Sequence, residues 1–256
     1  MTAEELLTER HDAVLIVRLN RPGARNALNG ALIDALGRMM AGAEDDPRVR
    51  AVVLTAAGDR VFCSGMDLHE FASGGPEIST DGMAGFTRLS RGELTVPVVG
   101  AANGTAVGGG LELLLGCDVI VAADTARFGL PEVKRGLYPA GGGTSIGTRI
   151  PLAVALEMTL TGDPIDARRA YELGLVNAVT PPDEVLDAAL SLAGRIAANA
   201  PLGLAAVKEL VRLTITDPGR AAKRNAELQK SVFSSEDARE GAIAFMEKRK
   251  PLWKGQ

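Results

Sequence analysis

Two glutamates stand where a carboxylate can move protons. Glu112 closes the run Asn103-Gly104-Thr105-Ala106-Val107-Gly108-Gly109-Gly110-Leu111-Glu112, and Glu132 follows Pro131 twenty positions later. The apolar stretch Val98 to Ala102 feeds the first run. A buried strand therefore passes through a four-glycine loop into a helix opening at about Gly109, and N–H groups there face an incoming oxyanion with no Cβ in the way. A second glycine turn, Val61-Phe62-Cys63-Ser64-Gly65-Met66-Asp67-Leu68, offers another free amide near Met66. Two amide donors and two carboxylates equip a site for acid/base chemistry beside a carbonyl: donors stabilise charge on oxygen, and carboxylates carry protons at carbon and water. Each residue also has a plainer use. Glu112 complements a helix dipole, Pro131-Glu132 reads as a helix start, and Asp67 reads as a cap.

Other chemistries lack their parts. Gly143-Thr144-Ser145-Ile146-Gly147 matches the GxSxG of a hydrolase nucleophile elbow, but that fold places its histidine after the serine, and His11 and His69 both precede Ser145. No GxGxxG or Walker A lysine occurs, and Cys63 and Cys117 lie far apart without a CxxC partner. The expectation is no metal and no redox cofactor.

The elements that must hold these residues follow from periodicity. The 256 residues are 46% hydrophobic and 23% charged, which fits one large globular unit. Short apolar runs predict strands at 14–19, 51–55, 98–102 and 119–123, with helices at 31–43, about 83–94 and 109–115, an α/β pattern of buried parallel strands. Beyond about residue 150 only 175–179 reads as a strand, and helices dominate: Val185, Ala189, Leu192 and Ile196 recur at helical spacing, and Pro201, Pro218 and Glu236 or Asp237 start three more. Residues 1–195 are expected to form an α/β body and 196–256 a helical region. No sequence repeat of fixed period is present.

Formal charge of −4 opposes a nucleic-acid role. The uncharged stretch 94–111 contains Pro97, Asn103, Thr105 and five glycines, which would leave backbone groups unpaired in lipid, so no membrane span is expected. The N-terminal MTAEELLTERHDAV has no apolar stretch of signal-peptide length, which points to a cytoplasmic protein.

The segments FCSGMDL, NGTAVGGGLELLLGCDVIVAADTARFGLPE, GLYPAGGG and SSEDAREGAIAFMEKRKP, in this order, resemble the signature segments of the enoyl-CoA hydratase/isomerase (crotonase) superfamily, and the likeness runs from RPGARNALN to the last helix. The resemblance implies a crotonase spiral of repeated ββα turns with a C-terminal helical trimerisation region, assembling as a homotrimer or dimer of trimers. It implies acyl-CoA as substrate, coenzyme A arriving as part of it. By residue, Met66 and Gly109 match the oxyanion-hole amides, and Glu112 and Glu132 the two glutamates that hydratases place around the catalytic water. Ala24, beside Arg25, matches the adenine contact of CoA. Phe245 and Lys248 match helix residues reaching the CoA of a neighbouring subunit. Possession of both glutamates favours reversible syn addition of water to a 2-enoyl-CoA, as in fatty-acid or related acyl-CoA degradation, over isomerisation. Other superfamily reactions, isomerase or dehydratase, and a thioester hydrolase using Ser145 stay as alternatives. Where simple short-chain hydratases resemble GTIPGAGGTQRL, this chain reads GLYPAGGGTSIG, and Tyr138 there is expected to line the acyl pocket.

Overall fold

The computed structural model describes residues 4–75 and 77–256. Among the described residues, ten strands and ten α-helices are present, the strands forming two sheets joined by a winding chain. Strands β1 (Leu6–His11), β2 (Val14–Leu19), β3 (Ala51–Ala56), β5 (Val98–Ala102), β7 (Val119–Ala123) and β10 (Ala178–Thr180) form a six-stranded sheet in that order. β1 runs antiparallel to β2, and every other neighbour is parallel. Strands β4 (Val61–Cys63), β6 (Thr105–Val107), β8 (Arg127–Gly129) and β9 (Ile165–Asp166) form a second sheet, with only β9 antiparallel to its neighbour.

The strand numbering alternates between the sheets. Each of three successive passes gives a long strand to the first sheet (β3, β5, β7) and a three-residue strand to the second (β4, β6, β8) before turning into a helix or 3-10 turn. The repeat is thus structural, carried by backbone pairing rather than by recurring side chains. Parallel neighbours require crossovers. Helix α1 (Gly30–Asp45) supplies the first, capped by Asn29, whose side chain accepts from the Leu32 N–H. The next pass carries α2 (Leu68–Ala72) and α3 (Thr80–Ser90), and α4 (Gly109–Gly116) follows β6.

The four long apolar runs are strands as expected, buried on both faces. The expected helix at 83–94 lies instead at Thr80–Ser90, because Ser79 caps it by accepting from Gly82 N–H and Gly92 adopts φ +67 after it. The expected strand at 175–179 is displaced to Ala178–Thr180. Leu175 and Val176 bond back to Ala170 in the turn after α6 (Ala167–Glu172) before pairing with β7 begins.

Beyond α5 (Leu152–Thr161), helix α7 (Val185–Ala197) buries Val185, Ala189, Ala193 and Ala197 against β3, β5 and β7. Position 195/196 falls in its last turn. Three helices follow, α8 (Pro201–Thr216), α9 (Pro218–Phe233) and α10 (Glu236–Glu247), with buried residues limited to Ala221, Asp237 and Ala244. No single helix among the described residues is long and apolar enough to cross a membrane.

Candidate active site

The site forms where β4 and β6 end side by side. Gly65 (φ +90) turns the chain after β4, and Gly108 (φ +56, ψ −131) turns it after β6 into α4; these angles belong to glycine. The turns touch: a β-carbon built on Gly109 would stand 3.5 Å from Gly65 Cα and 3.6 Å from the Met66 nitrogen. The Met66 and Gly109 amides, forty-three positions apart in sequence, are therefore neighbours. Leu28 fixes the direction of the first. Its N–H donates to Gly65 O at 2.8 Å and its carbonyl accepts from Asp67 N at 2.9 Å, a parallel bridge that turns the N–H of Met66 to the opposite side. Neither Met66 N nor Gly109 N has a hydrogen-bond acceptor among the described residues.

A loop from the N-terminal end supports this wall. Asn26, buried and left-handed like Arg25, donates to the carbonyls of Ala57 (2.9 Å) and Val61 (3.0 Å) and accepts from Arg21 N (2.9 Å). Ser64 N donates to Arg25 O at 3.1 Å, so Ala24 and Arg25 lie beside the Gly65 turn. Asp67 caps α2 and pairs with Arg21 at 3.1 Å, the structural use its sequence suggests.

Glu112 enters from α4, seven of whose eight residues are buried. Gly110 makes this depth reachable, since a β-carbon there would fall 2.3 Å from Cys63 O. Leu111, Leu113, Leu114 and Leu115 each contribute about 1.5–3 kcal/mol on burial, which offsets a carboxylate's desolvation cost of several kcal/mol. Glu112 is 8% exposed, and its Oε1 accepts from the Gly143 N–H at 2.9 Å. Burial pushes its pKa above the usual carboxylate value, and the N–H groups of Gly143 and Gly141 pull back toward the ionised form.

Glu132 sits in the 3-10 turn Pro131–Arg135, across Gly108 from α4. A β-carbon on Gly108 would stand 3.3 Å from Glu132 Oε1. Glu132 Oε2 is buried with no hydrogen-bond partner among the described residues. Burial raises this pKa too. Its own backbone N–H lowers it, the charge of Glu112 raises it, and Arg135 lowers it. Neither glutamate has a cation within ion-pair distance among the described residues. Cys63, against Gly110, is fully buried with its thiol pushed up to about 12, which leaves it inert.

Four expected site residues, Glu112, Glu132, Met66 and Gly109, are thus brought together, with Ala24 and Arg25 alongside. Tyr138, six residues past Glu132, is 70% exposed. Phe245 is 86% exposed on α10, and Lys248 caps that helix in a left-handed conformation; no hydrogen bond or ion pair among the described residues joins them to the glutamates. Ser145 lies in the 3-10 turn Gly143–Thr148 rather than at a strand-to-helix elbow. The sequence reading missed Gly143 as a ligand of Glu112 and Leu28 as the strut of Met66. The glycine run at 141–143 was the only signal for the first.

The model of the enoyl-CoA hydratase/isomerase family matches residues 9–256. The chain belongs to this family. Its fold is that of an enoyl-CoA hydratase from Mycobacterium tuberculosis H37Rv, with a TM-score of 0.91 at 43% identity, covering 98% of this chain and 99% of that one. A carnitinyl-CoA hydratase from Mycobacterium avium aligns with a TM-score of 0.78 at 41% identity over 100% of both chains. By sequence, this family member is 40% identical over 253 residues to a carnitinyl-CoA dehydratase of Proteus mirabilis, spanning 95% of this chain and 96% of that protein.

Proposed function

We propose that the protein adds water reversibly across the 2,3 double bond of a 2-enoyl-CoA to give a 3-hydroxyacyl-CoA. The observation that carries this reading is a buried Glu112 and a half-buried Glu132 with a buried, unpartnered Oε2, neither in an ion pair, set beside two amides whose N–H groups have no internal acceptor among the described residues. Met66 N–H and Gly109 N–H hold the thioester oxygen as it gains enolate charge, in a site where burial strengthens such donors. The glutamates divide the proton work by their surroundings. Gly143 and Gly141 favour ionised Glu112, which takes a proton from water as the oxygen attacks C3. The orphaned Oε2 and the nearby Glu112 charge favour protonated Glu132, which delivers its proton to C2. In this reading the backbone at Ala24 and Arg25 receives the CoA adenine, Tyr138 borders the acyl chain, and Phe245 and Lys248 reach the CoA of a neighbouring subunit in a homotrimer or dimer of trimers.

A second reading is dehydration of a 3-hydroxyacyl-CoA of the carnitinyl type, favoured by the 40% identity to the Proteus mirabilis dehydratase. It uses the same two glutamates in reverse. A panel of enoyl-CoA esters, linear, branched and polycyclic, tested together with carnitinyl-CoA, separates the two. Loss of the conjugated thioester absorbance with a 3-hydroxyacyl product supports hydration, and gain of that absorbance from carnitinyl-CoA alone supports the second reading. A shifted double bond without water uptake would replace both with isomerisation.

A further inference from the structure

The C-terminal end of α4 is gripped by cations. Arg149 Nη2 donates to Leu115 O at 2.7 Å and also to Cys117 O. Arg212 Nη2, from α8, donates to Gly116 O at 3.2 Å, Cys117 O at 3.1 Å and Asp118 Oδ1 at 3.0 Å. Lys208 reaches Asp118 Oδ2 at 2.7 Å. Positive charge is favourable at the carbonyl end of a helix.

The two arginines differ in what lies behind them. Arg212 stands on a helix that makes no hydrogen bond to either glutamate among the described residues. Arg149 closes the 3-10 turn Gly143–Thr148, whose first residue donates the hydrogen bond to Glu112. That turn is short and internally bonded: Ser145 N donates to Gly142 O and Arg149 N to Ile146 O, both at 2.9 Å, and Ile146 is buried in the core. One segment therefore bonds α4 twice, at the Glu112 carboxylate and at the last carbonyls of the helix. We propose that Arg149 is a positioning residue for Glu112: by clamping the Gly143–Thr148 turn onto the end of α4, it sets the Gly143 N–H that aims the carboxylate. This inference rests on the reading of Glu112 as a proton carrier. Lysine keeps the charge but presents a compact ammonium on a flexible stem instead of the planar guanidinium, so Arg149→Lys loosens the clamp without deleting the cation.

The test compares Arg149→Lys with Arg212→Lys on the full chain, each in wild-type and Glu112→Gln backgrounds, by kcat, KM and Tm on the best enoyl-CoA of the panel. Both variants should lower Tm by a few degrees. Arg149→Lys should lower kcat by about 10- to 100-fold with KM within about two-fold, the signature of a misplaced reacting group. Arg212→Lys should keep kcat within about two-fold. Adding Arg149→Lys to Glu112→Gln should cost less than about two-fold more, because the two act in series. Wild-type kcat in Arg149→Lys, equal kcat losses in both arginine variants, or a full multiplicative loss on Glu112→Gln would each overturn the proposal. A fully active Glu112→Gln would instead overturn the proton-carrier reading itself, whatever Arg149 does.

Discussion

Helices α4 and α8 are both apolar on average, yet seven of the eight residues of α4 are buried and none of the sixteen in α8 is. α4 carries a carboxylate into the core among leucines. α8 does the reverse, turning Lys208 and Arg212 inward to Asp118 while Val207, Val211 and Ile215 face out about 60% exposed. A charge inside and valines outside both break the ordinary pattern, and each departure marks a use. The first serves the proposed chemistry. The second is an exposed apolar row spaced i, i+4, i+8, matched on α5 by Leu152, Leu156 and Leu160, which a second copy of the chain would cover in the proposed homotrimer or dimer of trimers.

Removing the charge from α4 is the hardest blow to this contrast. Glu112→Gln and Glu132→Gln should each lower kcat by about 10²- to 10⁴-fold with KM and fold retained, since the amide keeps shape but takes up no proton. Turnover at the wild-type rate would make that glutamate a dipole complement only. Gly109→Pro should come next, at roughly 10² to 10³ in kcat for one lost oxyanion donor. Gly109 does not adopt a positive φ and a helix start tolerates proline, so circular dichroism should remain native while hydration falls.

On the other helix, Val211→Glu should leave the glutamates untouched and change assembly. Light scattering should give the wild type a multiple of 26.6 kDa and the variant a smaller particle. An unchanged mass would mean that α8 faces solvent.

The smallest effect is on stability. Burial raises the pKa of both glutamates in the folded state, so their ionisation penalises folding at neutral pH. The penalty is present above the folded pKa values and fades as pH falls through them toward the unperturbed value of about 4.3. The double variant Glu112→Gln/Glu132→Gln should therefore melt a few degrees above wild type at pH 7 to 8, with the gap closing toward pH 4. A gap that widens on acidification would contradict buried, charge-strained carboxylates.

Much of this is legible in the amino-acid sequence. β2, β3, β5 and β7 announce themselves because strands buried on both faces read as unbroken apolar runs, and α1 and α7 because their core faces recur every three or four residues. β1, LLTERH, escaped notice: five of its six residues are exposed, so pairing with β2 rather than side-chain pattern makes it a strand. β4, β6 and β8 escaped because three residues hold no period, although they are the strands that end at the site.

The amino-acid sequence by itself determined the chemical parts: two glutamates, two glycine turns, the long strands and the family to which their order belongs. Tertiary structure alone decided that Gly65 and Gly108 meet, that Leu28 turns the Met66 N–H aside, and that Gly143 and Arg149 bond α4 at opposite ends. The reason is physical. Composition and periodicity report which way a side chain faces relative to its own element, whereas direction between elements is set by backbone hydrogen bonds whose donors and acceptors are the same atoms in nearly every residue.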